Sequence, residues 1–190
     1  MEILLTSAFV VALAEIGDKT QLLAIVLATR FRKPLPIIAG IFVATIANHA
    51  AAAWAGYLIS GLMAGLWFRY AVAASFIAMA AWALVPDKAD EVRQTRHAGV
   101  FLTTVVAFFL VEIGDKTQIA TIALAARFHS VLTVAAGTTV GMMLANVPAV
   151  LLGERATRVL PLKYVRIGAA LIFLGLGLWG LADAAGLTAH

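Results

Sequence analysis

Seven residues with the means to hold a cation occur twice. Glu15-Ile16-Gly17-Asp18-Lys19-Thr20-Gln21 is repeated without change as Glu112-Ile113-Gly114-Asp115-Lys116-Thr117-Gln118, 97 positions later. Each copy offers two carboxylates, an ammonium, a hydroxyl and an amide. If the copies meet, Glu15, Asp18, Glu112 and Asp115 form a pocket of four carboxylates, with Thr20, Gln21, Thr117 and Gln118 as secondary oxygen donors. Oxygen-rich coordination without thiols suits hard divalent cations such as calcium, magnesium or manganese. Four carboxylates and two lysines leave a formal −2, which one divalent ion neutralises. Clustered carboxylates also repel one another, so protons compete with the metal for the same groups. A pocket that holds either a cation or protons, and opens alternately to each side of a membrane, is an exchanger.

The surroundings make these charges costly. The first copy lies between Phe9-Val10-Val11-Ala12-Leu13-Ala14 and Leu22-Leu23-Ala24-Ile25-Val26-Leu27, and the second sits in an equally apolar run. A charge at the centre of a bilayer costs roughly 2.5–3.5 kcal/mol on insertion scales, and an ionisable residue retained there is a functional candidate by default. On a continuous helix Glu15, Asp18 and Gln21 share one face, as do Glu112, Asp115 and Gln118. Gly17 and Gly114 permit close backbone approach or a local break in the helix. Lys19, one turn beyond Glu15, is placed to pair with it, and Lys116 with Glu112; the alternative has each lysine pointing towards water. Asn48 and Asn146 fall mid-helix, as extra carbonyl ligands or as interhelical glue. Asn146 stands at the repeat position of His49, which reads as a structural histidine near the membrane interface.

The elements that carry these residues are membrane helices. Of 190 residues, 63% are hydrophobic and 13% charged, and the mean hydropathy is +0.98. A soluble domain does not have this composition. A spanning helix needs about 20 apolar residues, and six candidates appear, over about 3–29, 37–60, 66–85, 100–126, 131–152 and 165–182. The expected fold is an all-α polytopic membrane protein. Trp54, Tyr57, Trp67, Tyr70, Trp82, Tyr164 and Trp179 fall towards helix ends, as aromatic belts do. Gly168, Gly175, Gly177 and Gly180 read as a close-packing face of the last helix. The N-terminus lacks a basic n-region, so the first helix is expected to be retained and not cleaved. Cysteine is absent.

The repeat extends beyond the motif. At the same offset Thr6 matches Thr103, Leu13 matches Leu110, Arg30-Phe31 matches Arg127-Phe128, Gly40 matches Gly137 and Gly56 matches Gly153. The expected organisation is repeat 1 over residues 1–86, a polar central loop over 87–99 and repeat 2 over 100–190. Three helices per repeat invert the second copy relative to the first, the architecture of many secondary transporters. Charge supports this. Ten basic residues follow predicted helices 1, 3 and 5 (Arg30, Arg32, Lys33; Lys88, Arg93, Arg96; Arg155, Arg158, Lys163, Arg166), and only Arg69 and Arg127 lie on the other side. The positive-inside rule then puts the central loop in the cytoplasm and both termini outside. The net charge of +4 is orientation, not a nucleic-acid signal.

Glu-x-Gly-Asp-(Lys/Arg)-(Thr/Ser), present twice in a six-helix chain, resembles the signature of a family of membrane cation/proton exchangers. That family includes manganese/calcium exchangers of the eukaryotic Golgi and bacterial manganese exporters. Both copies fit throughout: Glu15, Gly17, Asp18, Lys19, Thr20 and Glu112, Gly114, Asp115, Lys116, Thr117. The resemblance implies transport of Mn²⁺, with Ca²⁺ as a second cargo, against protons, with the motif carboxylates as ligands and no resident cofactor. An N-terminus without a targeting extension is similar to the bacterial members, for which the resemblance implies export across the cytoplasmic membrane. A Ca²⁺/H⁺ exchanger and a cation channel use the same pocket chemistry. An intramembrane hydrolase working through a carboxylate pair is the alternative from another class; the chain offers it no separate nucleophile constellation.

Overall fold

A computed structural model describes residues 1–62, 65–85, 99–153 and 162–187. Among them are eight helices and no strand: α1 (Glu2–Glu15), α2 (Lys19–Phe31), α3 (Pro34–Leu62), α4 (Leu66–Ala83), α5 (Val100–Glu112), α6 (Lys116–Phe128), α7 (Val131–Leu152) and α8 (Leu162–Ala184). The fold is all-helical, as expected. Four of these helices, α3, α4, α7 and α8, are long and apolar enough to cross a membrane. At 29 residues, α3 is about 43 Å long at 1.5 Å per residue. The polar central loop and the charges at Arg155 and Arg158 lie outside the described residues.

The continuous helices expected over 3–29 and 100–126 are each interrupted at the motif. α1 stops at Glu15, Ile16 turns extended (ψ 115°) and Gly17 adopts φ +81°, after which α2 starts behind Asp18. The second copy repeats this: α5 stops at Glu112, Ile113 is extended (ψ 122°), Gly114 has φ +75° and Asp115 precedes α6. A positive φ is natural for glycine and strained for other residues, so the shared Gly17 and Gly114 dictate where the helices break. The Glu/Asp/Gln face of an unbroken helix does not form. Each glutamate instead ends one helix, and each aspartate caps the next.

Burial is distributed as a bilayer requires. Ser7, Thr45, Thr104, Thr121, Thr138 and every carboxylate of the motifs are inside, while Phe9, Phe42, Leu144, Leu151, Leu171 and Leu178 face outward. All four tryptophans and all three tyrosines are exposed, as lipid-facing or interfacial aromatics are. One apolar core gathers about α6 (Ala120, Leu124, with Phe76, Met79 and Phe173), and another about α2 (Leu23, Leu27, with Ile37, Ile41 and Phe108).

The two copies are interlocked. α1 packs along α7, α3 along α5 and α6, and α4 along α8. The matched glycines Gly40 and Gly137 each sit at a close helix approach. A Cβ on Gly137 would lie 2.6 Å from the Leu4 carbonyl oxygen and 2.8 Å from Ser7 Cβ, and one on Gly40 would lie 2.7 Å from Thr104 Cβ. Such seams let helix backbones meet where lipid supplies no hydrophobic drive between helices. Of the expected glycine face on α8, Gly177 and Gly180 do press on α4 at Ile77 and Ala73, whereas Gly168 and Gly175 meet nothing within 4 Å. Gly137→Val should cost about 1–3 kcal/mol or more, because the clash is with backbone that cannot rotate away. Thermal unfolding in detergent tests this, and an unchanged melting curve would contradict the seam.

Candidate functional site

Each break presents its carboxylates to the other copy. Ligand oxygens of Glu15, Glu112 and Asp115 lie within 4.8 Å of one another, and all three residues are buried. In each copy the motif threonine orients its glutamate: the Thr20 hydroxyl donates to Glu15 Oε2 and Thr117 to Glu112 Oε1. Among the described residues, Glu15 Oε1, Glu112 Oε2 and Asp115 Oδ2 have no hydrogen-bond donor. Three negative charges this close and away from water require compensation by a cation or by protons. The donor set is oxygen-rich and hard, the type that takes a divalent ion.

The two aspartates differ. Asp115 Oδ1 accepts the Lys116 backbone N–H at 2.7 Å and lies 3.6 Å from Lys19 Nζ, a partly exposed ammonium. Asp18 instead forms a tight ion pair with the Lys116 ammonium, and both side chains are buried. The lysines therefore do not pair with Glu15 and Glu112 along their own segments. They cross over, Lys19 to Asp115 and Lys116 to Asp18, because the break turns each lysine away from the glutamate one turn before it. Three carboxylates form the open cluster, and the fourth is held by a lysine.

The glutamines serve the break. Gln21 Oε1 accepts the Gly17 N–H at 2.8 Å while its Nε2 donates to the Ala145 carbonyl at 3.1 Å. Gln118 Oε1 accepts the Gly114 N–H at 2.7 Å. The two asparagines separate: Asn146 Nδ2 donates to Glu15 Oε2 at 3.3 Å, inside the site, whereas Asn48 Nδ2 donates to the Phe109 carbonyl at 3.2 Å and ties α3 to α5. His49 lies beside the glutamate of the other copy. It is fully buried, with Nε2 3.5 Å from Glu112 Oε1. The signal for it was present in the sequence: His49 occupies the repeat position of Asn146, and the two face the glutamates of opposite copies.

A cavity of about 630 Å³ lies away from the carboxylates, at the far end of α6. Arg69 reaches Asp183 there at 2.7 Å, Arg127 approaches the same carboxylate at 3.8 Å and stacks 4.0 Å over Trp179, and Ser60 Oγ sits 3.1 Å from His129 Nδ1.

Known proteins give this geometry a context. The chain is 49% identical over 175 residues to a Vibrio cholerae serotype O1 protein named as a candidate manganese exporter, covering 92% of this chain and 88% of that one. No solved structure matches the chain. The divalent cation/proton antiporter GDT1 family matches residues 3–91 and 100–187, one segment for each copy of the motif. A buried carboxylate cluster that must be filled by a cation or by protons is what such an antiporter needs, and the chain belongs to the GDT1 divalent cation/proton antiporter family.

Proposed function

We propose that this antiporter expels Mn²⁺ across a bacterial cytoplasmic membrane in exchange for protons. What carries the reading is the buried cluster of Glu15, Glu112 and Asp115, three carboxylates within 4.8 Å of one another that a positive charge must balance. Either one divalent cation or protons satisfy it, and alternation between the two is exchange. Asp18, the repeat equivalent of Asp115, is the fourth carboxylate, held in this state by Lys116. The lysines serve as internal counter-ions that steady the aspartates when the cargo leaves. Thr20 and Thr117 aim the glutamates, and Gln21 and Gln118 hold the broken backbone. Manganese as cargo, and the outward direction, are supported by the name of the Vibrio relative.

In this reading α1 with α2, and α5 with α6, each cross the membrane once as a broken helix. With α3, α4, α7 and α8 that makes six spans, in two inverted repeats over residues 1–86 and 100–190 joined by a cytoplasmic loop at 87–99. Broken helices that meet near the midplane are the usual binding device of such transporters. Arg69 and Arg127, the two basic residues that the charge count assigns to the outer side, share Asp183 at one end of the helices, in keeping with both termini outside.

Purified protein in liposomes with a trapped pH dye tests the proposal. A Mn²⁺ gradient should drive protons the opposite way, and the same assay with Ca²⁺ and Mg²⁺ ranks the ions. Mn²⁺ flux without proton movement would make the protein a channel or uniporter, and no flux of any ion from folded protein would remove the transport reading.

A further inference from the structure

His49 is the one described residue facing the cluster whose chemistry the oxygen pocket does not account for. It projects from the middle of α3, is 0% exposed, and neither ring nitrogen has a hydrogen-bond partner among the described residues. A buried imidazole without a partner loses its hydration for nothing in return. Its Nε2 lies 3.5 Å from Glu112 Oε1. Cis ligands of an octahedron lie about 1.4 bond lengths apart, roughly 3 Å for bonds near 2.1 Å, so a closure of about 0.5 Å would seat both donors on one such ion. The repeat adds a second observation. Asn146, at the matching position of the other copy, already contacts Glu15 and keeps its buried Oδ1 without a donor. Two equivalent positions thus address two equivalent glutamates, one with an amide and one with an imidazole.

We infer that His49 is a nitrogen ligand of the transported ion and a determinant of which ion is transported. This rests on the exchange reading above. Carboxylate and carbonyl oxygens alone suit Ca²⁺ and Mg²⁺ as well as Mn²⁺, whereas imidazole favours first-row transition metals and adds little for the alkaline earths. A site of carboxylates, one amide oxygen and one imidazole therefore prefers Mn²⁺ over the more abundant Ca²⁺ and Mg²⁺. The asymmetry between the copies is the source of that preference.

Two measurements test the assignment. In the liposome assay, His49→Asn, which restores the residue of the other repeat, should weaken the apparent affinity for Mn²⁺ about tenfold or more while changing that for Ca²⁺ less than about threefold. Parallel losses for both ions, or no loss, would overturn it. Independently, pulsed electron paramagnetic resonance of Mn²⁺ bound to the purified protein, carried on a histidine-free tag, should detect coupling to a directly bound nitrogen. The coupling should persist when His97, His129 and His190 are all changed to Gln, leaving His49 as the sole histidine. Wild-type protein that moves Mn²⁺ but lacks this coupling refutes the ligand and leaves the exchange reading standing. Wild-type protein that moves no Mn²⁺ removes both. Because the spectrum uses protein with His49 intact, it decides the matter even if His49→Asn does not fold.

Discussion

Glu15→Gln and Glu112→Gln should each lower Mn²⁺-driven proton movement at least about 100-fold in protein that still folds. The expected size follows from position. Changes to groups that only support a metal ligand typically cost 10–100-fold, and in the proposed site these two glutamates are ligands themselves, each with a buried oxygen that has no hydrogen-bond partner among the described residues. Each substitution removes a negative charge and a titratable group together, so cation binding and proton return fail at once. Folding should survive, because glutamine has nearly the same shape and can still accept from Thr20 or Thr117. Asn48→Ala is the internal comparison: its amide ties α3 to the Phe109 carbonyl and does not touch the cluster, so transport should fall only severalfold. Paired flux and melting measurements decide this. Glutamine variants that transport normally would sever the cluster from the function.

The second large effect concerns Lys116. Its ammonium and the Asp18 carboxylate are both buried, with 4% and 0% of their side chains exposed. Removing one member of such a pair leaves an uncompensated buried charge and costs about 3–5 kcal/mol. Lys116→Met should therefore destabilise strongly, and Lys116→Met with Asp18→Asn should recover most of the loss without recovering transport. Lys19→Met should cost less than Lys116→Met, since the Lys19 side chain is 22% exposed and stands 3.6 Å from Asp115, a longer and more screened pair. Denaturation of the two single variants and the double variant completes the cycle. Equal losses for the two lysines would contradict the asymmetry.

The chemistry was legible because the motif is duplicated in apolar surroundings where charge is expensive. The break in each helix was only half legible. Gly17 and Gly114 suggested it, but the apolar runs on either side of each motif are together long enough for one continuous span, and a window that averages polarity cannot register a backbone dihedral. That break moved Asp18 and Asp115 from a shared helical face with Glu15 and Glu112 to the caps of new helices. The crosswise lysine pairs were out of reach, because they depend on how α2 and α6 approach each other and not on spacing within either. Asn48 and Asn146 are both amides in the middle of long helices; only the register of the helix crossings sends one to a carboxylate and the other to a backbone carbonyl. His49 was read as structural because its repeat partner is not a histidine, and a difference at an otherwise matched position gave no measure of distance to the carboxylates.

The glycine seams bear on how the molecule moves. Side chains that interdigitate must unlock before helices can shift, but the contacts of Gly137 on Leu4 and Ser7, and of Gly40 on Thr104, are smooth. Such surfaces offer the least resistance to sliding. α1 carries Glu15 at its end and rides on α7, and α5 carries Glu112 at its end and rides on α3. A slide along either seam would displace Glu15 or Glu112 directly, with no intervening linkage. Because each moving helix runs on a long helix from the opposite half of the chain, neither half can change its grip alone, and the two hands of the clasp open together.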